Sequence, residues 1–598
     1  MKFLSLENKW FVWTTFLLLL FYLILRAIFI TPYCDEVATL FEYIEAPFLF
    51  EPVVKDSSAN NHLLNTLLGK FVYLFFGDAI SFLRIPNILA FILYFFSIKY
   101  VVLKSVIPRF QVLTFVALNT VAWIFEYFSY LRGYGLALGL LFCSITLFYS
   151  WTQNRAAYKL FLFIVLLWLS VFANLSFFNT SVILWLYAII YIFLNFKDFE
   201  KKQIVFFISL NIAYLFALLP LINYSFELKE AGALWWGNLA GIWLCTGVSL
   251  SMITFFDCST TIEYSILTSV ILIGILGLKR LKDIGLKEFI SSLEGLFYTL
   301  FIGNIVMIEL LATFFEVNYP RDRAAVQLVL CLIITFILFV QKIRFVSYLS
   351  WVLLFFPITF LFHISLKTSI YQTDHRLSRE VLAYLQKNVT DQSSYSLCQL
   401  IDNTAYLELR NNKRMKLFGL EKQDSLVEPN FMVVESNVLP PLFYHLKMED
   451  KISNISIYQD SRKRDCKLVK DTLITNFKSA NDVLLFRLNG LDTLCNMNKF
   501  KVCVSSKLKF LENGTPMNLI LALGDSIDPN RYYNSIELKK LSKNKKKINI
   551  LWNSPIYSMQ ENRRNLSLFF WNMEVHPVEY SYIRVKIYRV LEENSKLK

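Results

Sequence analysis

The stretch Phe11-Val-Trp-Thr-Thr-Phe-Leu-Leu-Leu-Leu-Phe-Tyr-Leu-Ile-Leu-Arg-Ala-Ile-Phe-Ile30 decides the fold class of this chain. It contains a single charged residue, Arg26, and a helix of about 20 apolar residues spans the hydrocarbon core of a bilayer. Runs of the same kind return at 264–278 and 324–340. We therefore predict a bundle of membrane-spanning helices, with Arg26 near the end of its span extending its charge toward the interface.

The composition separates the chain into two parts. Of 598 residues, 56% are hydrophobic and 18% are charged, which is too apolar for one water-soluble core. Near residue 365 the long apolar runs stop. Short alternating segments follow, such as Lys499-Phe-Lys-Val-Cys-Val504 and Ile583-Arg-Val-Lys-Ile-Tyr588, and this period of two is typical of half-buried strands. We predict an α-helical transmembrane domain at 1–365, with a first outer loop at 31–80, and a soluble α/β or β-rich domain at 366–598.

The distribution of Lys and Arg predicts the topology. The net charge of +14 is interspersed among apolar spans instead of forming one stripe, so it favours a membrane lipid environment and not nucleic acid as a partner. By the positive-inside rule, the basic gaps are cytoplasmic and the acidic and aromatic gaps lie outside. Counting between them gives about eleven helices, a cytoplasmic N-terminus and an outer C-terminal domain. The basic gaps are 2–9, 99–109, 155–159, 197–202, 279–287 and 342–344.

Residues 241–256 admit two interpretations. The segment is apolar enough for a further span, but we favour an amphipathic helix that lies on the outer membrane surface.

Two adjacent acids, Asp35 and Glu36, open the first outer loop. A carboxylate at the mouth of a helical cavity can act as a general base toward a hydroxyl group, because partial burial and charged neighbours tune its pKa. The competing interpretation is that both are solvated loop acids or a helix cap.

Four arginines lie at predicted outer ends of helices, where the positive-inside rule disfavours them. A charge at the membrane edge is costly unless it is paired or functional, and the guanidinium fork binds phosphate well. Local ion pairs are the alternative explanation. The four are Arg84, Arg132, Arg321 and Arg323.

Two acids, Glu126 and Glu309, fall inside predicted spans. An intramembrane acid is a functional hypothesis by default, and proton-coupled transporters use such residues. The chain has no Gly-x-x-x-x-Gly-Lys loop, no His-Glu-x-x-His and no Cys-x-x-Cys motif, which argues against nucleotide-driven and thiolate-zinc chemistry. A metal held by Asp35 or Glu36 stays open.

The order of these motifs resembles the GT-C superfamily of membrane glycosyltransferases, particularly the protein mannosyltransferase and aminoarabinose transferase branch and its bacterial members. The resemblance covers about residues 10–375. It rests on the acidic pair, Asn60-Asn-His-Leu-Leu-Asn65, Arg84-Ile-Pro86, Arg132-Gly-Tyr134 and Tyr319-Pro-Arg-Asp-Arg323. The juxtamembrane helix of the family often begins His-Pro-Pro, and this sequence lacks both prolines.

The resemblance implies transfer of a sugar from a polyprenyl-phosphate-linked donor to a hydroxyl of a protein, lipid or glycan. Asp35 would be the general base, Glu36 its assistant, and the four arginines would bind the donor phosphate. The chemistry would take place at the periplasmic face of a bacterial inner membrane, with no required cofactor. The residues implied to contact sugar or acceptor are Asn60, Asn61, His62, Tyr134 and Tyr319.

Two alternatives remain. An oligosaccharyltransferase or glycan ligase would move a preassembled glycan and would use a divalent metal such as Mg²⁺ or Mn²⁺. A transporter or flippase for lipid-linked sugars would use Glu126 and Glu309 as coupling acids.

Overall fold

The fold is taken from a computed structural model of the chain. It forms two compact units, one comprising Met1–Ile30 and Glu42–Tyr371 and the other Thr31–Phe41 and Gln372–Lys598. The structure describes residues 5–592 apart from 52–58, 235–236, 344–346, 371–376, 389–394, 398–406, 408–416, 419–426, 437–440, 442, 452, 463, 489–498, 512–516, 525–531, 543–546, 555, 559–564 and 574–575.

The first unit is helical. Its α-helices are α1 (Lys9–Phe29), α3 (Leu63–Phe76), α4 (Ile80–Leu83), α5 (Ile85–Ser105), α6 (Pro108–Asn119), α7 (Ala122–Glu126), α8 (Gly133–Asn154), α9 (Ala157–Ala173), α10 (Phe178–Leu194), α11 (Lys201–Glu230), α12 (Val248–Phe255), α13 (Thr260–Ile284), α14 (Leu286–Ile290), α15 (Leu293–Phe315), α16 (Val326–Val340) and α17 (Phe355–Phe362); α2 (Cys34–Ala38) belongs to the other unit. Short 3₁₀ helices cover Tyr127–Ser129, Leu175–Phe177, Phe196–Asp198, Asp322–Ala325 and Ser347–Leu354, and π-helical turns cover Thr39–Ile44 and Trp243–Gly247.

Among the described residues, eight helices are long and apolar enough to cross a membrane, or nine if the bent pair Pro108–Asn119 and Ala122–Ser129 is one span. The prediction of a polytopic helical part is confirmed, whereas the count of about eleven stays a prediction. Among the described residues, the shorter apolar helices are Leu63–Phe76, Ala157–Ala173, Trp243–Phe255 and Ser347–Phe362.

Local sequence explains where these helices begin. The Asn8 side chain accepts a hydrogen bond from the backbone N–H of Trp10 at 3.0 Å and caps α1. Pro86 and Pro108 stand in the first turns of α5 and α6, where a missing N–H costs nothing. Ser292 caps α15 by accepting from Gly295 N at 3.0 Å.

The segment at 241–256 is a short helix of two parts, the π-helical turn and α12. Ser249 and Ile253 are buried, whereas Leu244 is exposed. At thirteen residues, Trp243–Phe255 belongs to the shorter apolar helices and not to the candidate spans. Its predicted position on the membrane surface stays a prediction.

The second unit is rich in β-structure, as the alternating segments predicted. Its elements after α2 are α18 (Arg379–Asn388), β1 (Tyr395–Leu397), β2 (Leu417–Phe418), β3 (Val427–Glu428), β4 (Phe431–Glu435), β5 (Tyr444–Asp450), β6 (Ile455–Asp460), β7 (Arg464–Ser479), β8 (Val483–Leu488), β9 (Lys499–Phe510), β10 (Met517–Gly524), β11 (Tyr532–Glu537), α19 (Leu538–Ser542), β12 (Lys547–Asn553), β13 (Ile556–Ser558), β14 (Asn565–Asn572) and β15 (Val578–Glu592).

These strands form three sheets, with the orders β1-β4-β6-β5, β11-β10-β14-β8 and β2-β12-β9-β13-β3. In the third sheet β15 pairs antiparallel with both β7 and β9. Along β15, Ile583, Val585 and Ile587 are buried while Arg584 is exposed. This is the alternation read from the sequence, and it fixes the register because a slip by one residue would turn the buried set outward.

Candidate active site

The adjacent acids Asp35 and Glu36 occupy one short helix, α2, but have different surroundings. Asp35 is partly exposed, and its backbone carbonyl accepts a hydrogen bond from the Thr39 hydroxyl at 2.8 Å. Glu36 is fully buried, and its carboxylate accepts from the backbone N–H of Tyr33 at 3.3 Å. An acid that reaches back to the residue before a helix is one half of a capping box. Glu36 therefore has a structural task, and Asp35 is the better placed of the two to meet a substrate.

Two sequence motifs meet in the first unit. The Arg132 guanidinium donates to the Asn60 side-chain oxygen at 3.0 Å, and the His62 ring packs edge-on against Tyr134 with centroids 5.1 Å apart. Gly133 makes this approach possible, because a Cβ there would lie 2.8 Å from the His62 Cβ and 2.0 Å from a backbone oxygen. The start of α8 and residues 60–62 thus form one largely buried cluster.

His62 is held neutral beside two arginines. Its pKa lies well below the ordinary value, because burial penalises the charged ring and because Arg132 and then Arg323 repel it. The Nε2 atom is buried without a hydrogen-bond partner in the described part of the chain. The side chains of Arg132 and Arg323 are themselves buried. Guanidinium groups beside a neutral imidazole are suited to recognise phosphate oxygens.

Asn61 and Asn65 make hydrogen bonds that support this cluster. The Asn61 amide donates to the Leu49 carbonyl at 2.9 Å, and its oxygen accepts from the Thr66 hydroxyl at 2.8 Å. Asn65 accepts from the Asn87 amide at 2.7 Å, and the Asn87 oxygen accepts from the backbone N–H of Leu136 at 3.0 Å. These buried bonds tie α3 to α5 and α8. Asn61 was predicted to bind sugar, but both its amide nitrogen and its amide oxygen make hydrogen bonds within the protein.

The other two arginines have different surroundings. Arg84 is buried and donates to the carbonyls of Ala27 and Ile30 at 2.9 and 3.0 Å, which satisfies the C-terminal end of α1. Arg321 is largely exposed and forms an ion pair with Asp322 at 3.6 Å. A phosphate contact for either one stays a prediction.

Tyr319 is buried at the start of the turn that carries Arg323. Its hydroxyl donates to both carboxylate oxygens of Glu309 at 3.2 Å, and Glu309 is exposed on α15. A sugar contact for Tyr319 is untested, and its side chain serves to connect the turn with α15.

The prediction that Arg26 reaches toward the interface is wrong. Arg26 is buried and forms an ion pair with Glu126 at 2.5 Å, and it also donates to the Ser365 carbonyl at 2.9 Å. Glu126 accepts in addition from the Tyr130 hydroxyl at 2.9 Å and the Ile370 N–H at 3.0 Å. Because a lone buried charge is costly, the acid in α7 and the base in α1 compensate each other.

One acid and one tyrosine of the outer loop, Glu51 and Tyr43, were not singled out from the sequence. Burial first, and Glu42 second, raise the pKa of Glu51 to about 7, while a hydrogen bond from Tyr224 opposes the shift. Burial, then Glu42 and Glu51, raise the pKa of Tyr43, and Arg132 lowers it. An acid directly after the apolar run Pro47-Phe-Leu-Phe50 was the available signal.

No group of three or more His, Cys, Asp or Glu side chains lies together among the residues that the structure describes. The metal and cofactor expectations therefore stay predictions.

No protein-family model and no curated protein matches the chain. Solved structures do match. One is the arabinosyltransferase EmbB from Mycobacterium smegmatis, at 11% identity over 96% of this chain and 64% of that chain, with a TM-score of 0.31. Another is ArnT from Cupriavidus metallidurans bound to undecaprenyl phosphate, at 10% identity over 75% of this chain and 98% of that chain, with a TM-score of 0.30.

The chain is similar to a glycosyltransferase. It spans less than two thirds of the length of EmbB. At these identities and TM-scores the two matches support no conclusion about the activity of this chain.

Proposed function

We propose that this protein is a membrane glycosyltransferase that moves a sugar from a polyprenyl-phosphate-linked donor to a hydroxyl of a protein, lipid or glycan. The observation that carries the proposal is the meeting of the Arg132–Asn60 and His62–Tyr134 pairs in one buried cluster, where Arg132 and Arg323 both lower the pKa of His62. A lipid-linked phosphate needs guanidinium donors and no nucleotide loop, and its tail can lie between helices. The ArnT structure that the chain resembles holds undecaprenyl phosphate.

We assign Asp35 as the base that accepts the proton of the acceptor hydroxyl from the resemblance alone, since it belongs to a different unit from Arg132 and Arg323. The hydroxyl oxygen forms a bond to the anomeric carbon as the bond from that carbon to the phosphate oxygen breaks, and the electron pair leaves with polyprenyl phosphate. Arg132 and Arg323 stabilise the charge that grows on the phosphate, an interaction that is stronger in a dry site than in water. Asn60 and Tyr134 hold Arg132 and His62 in place. Glu36 supports Asp35 through the cap of α2.

The proposed site belongs to the periplasmic face of a bacterial inner membrane, with the N-terminus in the cytoplasm and the β-rich domain outside. The transporter alternative receives no support from Glu126, because its carboxylate is engaged by Arg26, Tyr130 and a backbone N–H. A coupling acid has to exchange protons during the transport cycle, and this one is fixed in a buried ion pair.

Binding of undecaprenyl phosphate to purified protein in detergent tests the phosphate site. Arg132→Lys and Arg323→Lys keep the charge but lose the fork, so we expect affinity to fall by about 10- to 100-fold, the usual value of a charge-assisted hydrogen bond. Arg109→Lys is the matched control, because Arg109 lies over Phe110 in a gap predicted to be cytoplasmic. Unchanged affinity in both test variants would remove the basis of the proposal.

A further inference from the structure

The turn that carries Arg323 is held by a segment distant in sequence. Residues 316–321 connect α15 to the 3₁₀ turn Asp322–Ala325. Residues 237–249 contact this connection and the start of the turn. The Tyr319 N–H donates to the Asn238 carbonyl at 3.0 Å, and the Thr246 hydroxyl donates to the Pro320 carbonyl at 2.9 Å. The Cys245 thiol lies 3.2 Å from the Tyr319 carbonyl. With the N–H of Asp322, four consecutive peptide groups of the turn are thus engaged.

Ser249 makes the contact nearest to the arginine. Its hydroxyl accepts from the backbone N–H of Asp322 at 2.8 Å and donates to the Cys245 carbonyl at 2.8 Å. Both roles of the hydroxyl are used, and Ser249 is buried, so its orientation is fixed. Because the Ser249 hydroxyl donates its hydrogen to the Cys245 carbonyl, a lone pair of the hydroxyl oxygen is left to accept from Asp322 N–H.

The backbone of the turn adopts an uncommon conformation beside this support. Asp322 has φ of +48°, in the left-handed region that residues with side chains seldom occupy. Such a conformation persists where the surroundings over-determine it. Gly237, with φ of +116°, permits the close approach, because a Cβ there would lie 2.2 Å from the Tyr319 oxygen.

We propose that Trp243–Phe255 is a positioning element for Arg323 and that Ser249 is its positioning residue. The inference rests on the proposed function, in which Arg323 contacts the donor phosphate. Ser249 binds the backbone N–H of Asp322, the residue directly before Arg323, and it does so from a helix that carries none of the predicted site residues. A displacement of about 1 Å at a substrate-binding group is enough to weaken its interaction strongly.

Donor binding in Ser249 variants tests the inference, with undecaprenyl phosphate as the probe. Ser249→Ala removes the acceptor for Asp322 N, and we expect affinity to fall by about 3- to 30-fold. Ser249→Thr keeps the hydroxyl and should restore most of it. Ser251→Ala is the control, because Ser251 is equally buried on α12 but its hydroxyl donates within the helix, to Gly247 O at 3.2 Å. Equal losses in the two Ala variants, or none, would overturn the inference.

A double-mutant cycle separates positioning from general stability. If Ser249 acts through Arg323, then Ser249→Ala should have little further effect in an Arg323→Lys background. A purely structural role predicts that the two losses multiply. If Arg323→Lys alone leaves affinity unchanged, the proposed function fails; if it weakens binding while Ser249→Ala does not, only the positioning role fails. Should Ser249→Ala not fold, Thr246→Val removes the neighbouring bond to Pro320 O with little change in shape, and the same cycle applies.

Discussion

Breaking the buried ion pair between Arg26 and Glu126 should cost more stability than any other single change considered for the helical unit. Arg26 is 1% exposed, and Glu126→Gln leaves its charge buried without a countercharge. Removing one partner of a buried pair typically costs about 3–5 kcal/mol. The substitution also alters the acceptor of Tyr130 and of the Ile370 N–H, so we expect a value in the upper part of that range. Replacing both partners by apolar residues, as in Arg26→Met with Glu126→Leu, should recover most of the loss, because no charge then stays buried.

Unfolding of the purified protein in mixed detergents measures these differences, with the single and double variants forming a cycle. Sugar transfer per folded molecule is recorded in parallel. We expect Glu126→Gln to lose stability while the folded fraction keeps its transfer rate. The reasoning fails if each single change costs less than about 1 kcal/mol, or if the two losses simply add. A folded Glu126→Gln protein that has lost gradient-driven uptake would favour the transporter alternative.

The remaining predictions concern the outer acids and the topology. Asp35→Asn should lower turnover by about 10²- to 10⁴-fold with donor binding intact, and a rate near that of the parent would exclude Asp35 as the base. Glu36→Gln should cost much less, because glutamine also serves at this capping position, and a larger loss than Asp35→Asn would reverse the assignment. Because the pKa of Glu51 is raised to about 7, the folded state binds the Glu51 proton more tightly than the unfolded state does. The protonated Glu51 therefore contributes its full stabilisation of the folded state below about pH 4.5, and this contribution is lost as the pH rises through 7. After discounting for solvent screening, Glu51→Gln should gain about 1–2 kcal/mol over the parent between pH 5 and pH 8 in unfolding titrations, and parallel pH profiles would contradict the assigned burial. A reporter fused after Ser365 should be active only if exported and one within 279–287 only if cytoplasmic; reversed activities would place the site on the other face.

Period and hydropathy were sufficient to predict the two-part architecture. Apolar runs of span length predicted the helices, and the alternation at Ile583 to Tyr588 predicted a strand that is found in β15. These signals are local, because the polarity of each residue reflects whether its side chain faces lipid, water or the protein interior. The extent of β15 pairing on both sides could not be predicted, since it depends on partners more than 60 residues away.

The candidate site was predictable in its residue types and less so in its roles. The resemblance gave Arg132 a contact with the donor phosphate and His62 a contact with sugar, which stay predictions, and in the structure their segments meet. The sequence did not distinguish an arginine that supports a helix end, as Arg84 does, from one beside His62. Both stand at a helix end with the same side chain, and only tertiary contacts separate them. The pairing of Arg26 with Glu126 was missed for the same reason, because 100 residues lie between them.

The double pairing of β15 has a consequence for how the β-rich unit assembles. β7 and β9 precede β15 in the chain, and among the described strands β7 pairs with β15 alone. During synthesis, the 16-residue strand β7 therefore has both edges unpaired until about 100 more residues have been made and β15 is available to pair with it. Unpaired edges of this kind recruit other strands and lead to aggregation, which makes the interval between β7 and β15 the vulnerable period of biogenesis. The exposed Lys467, Lys470 and Lys478 along β7 are the kind of charge that keeps an open edge soluble until the last strand arrives.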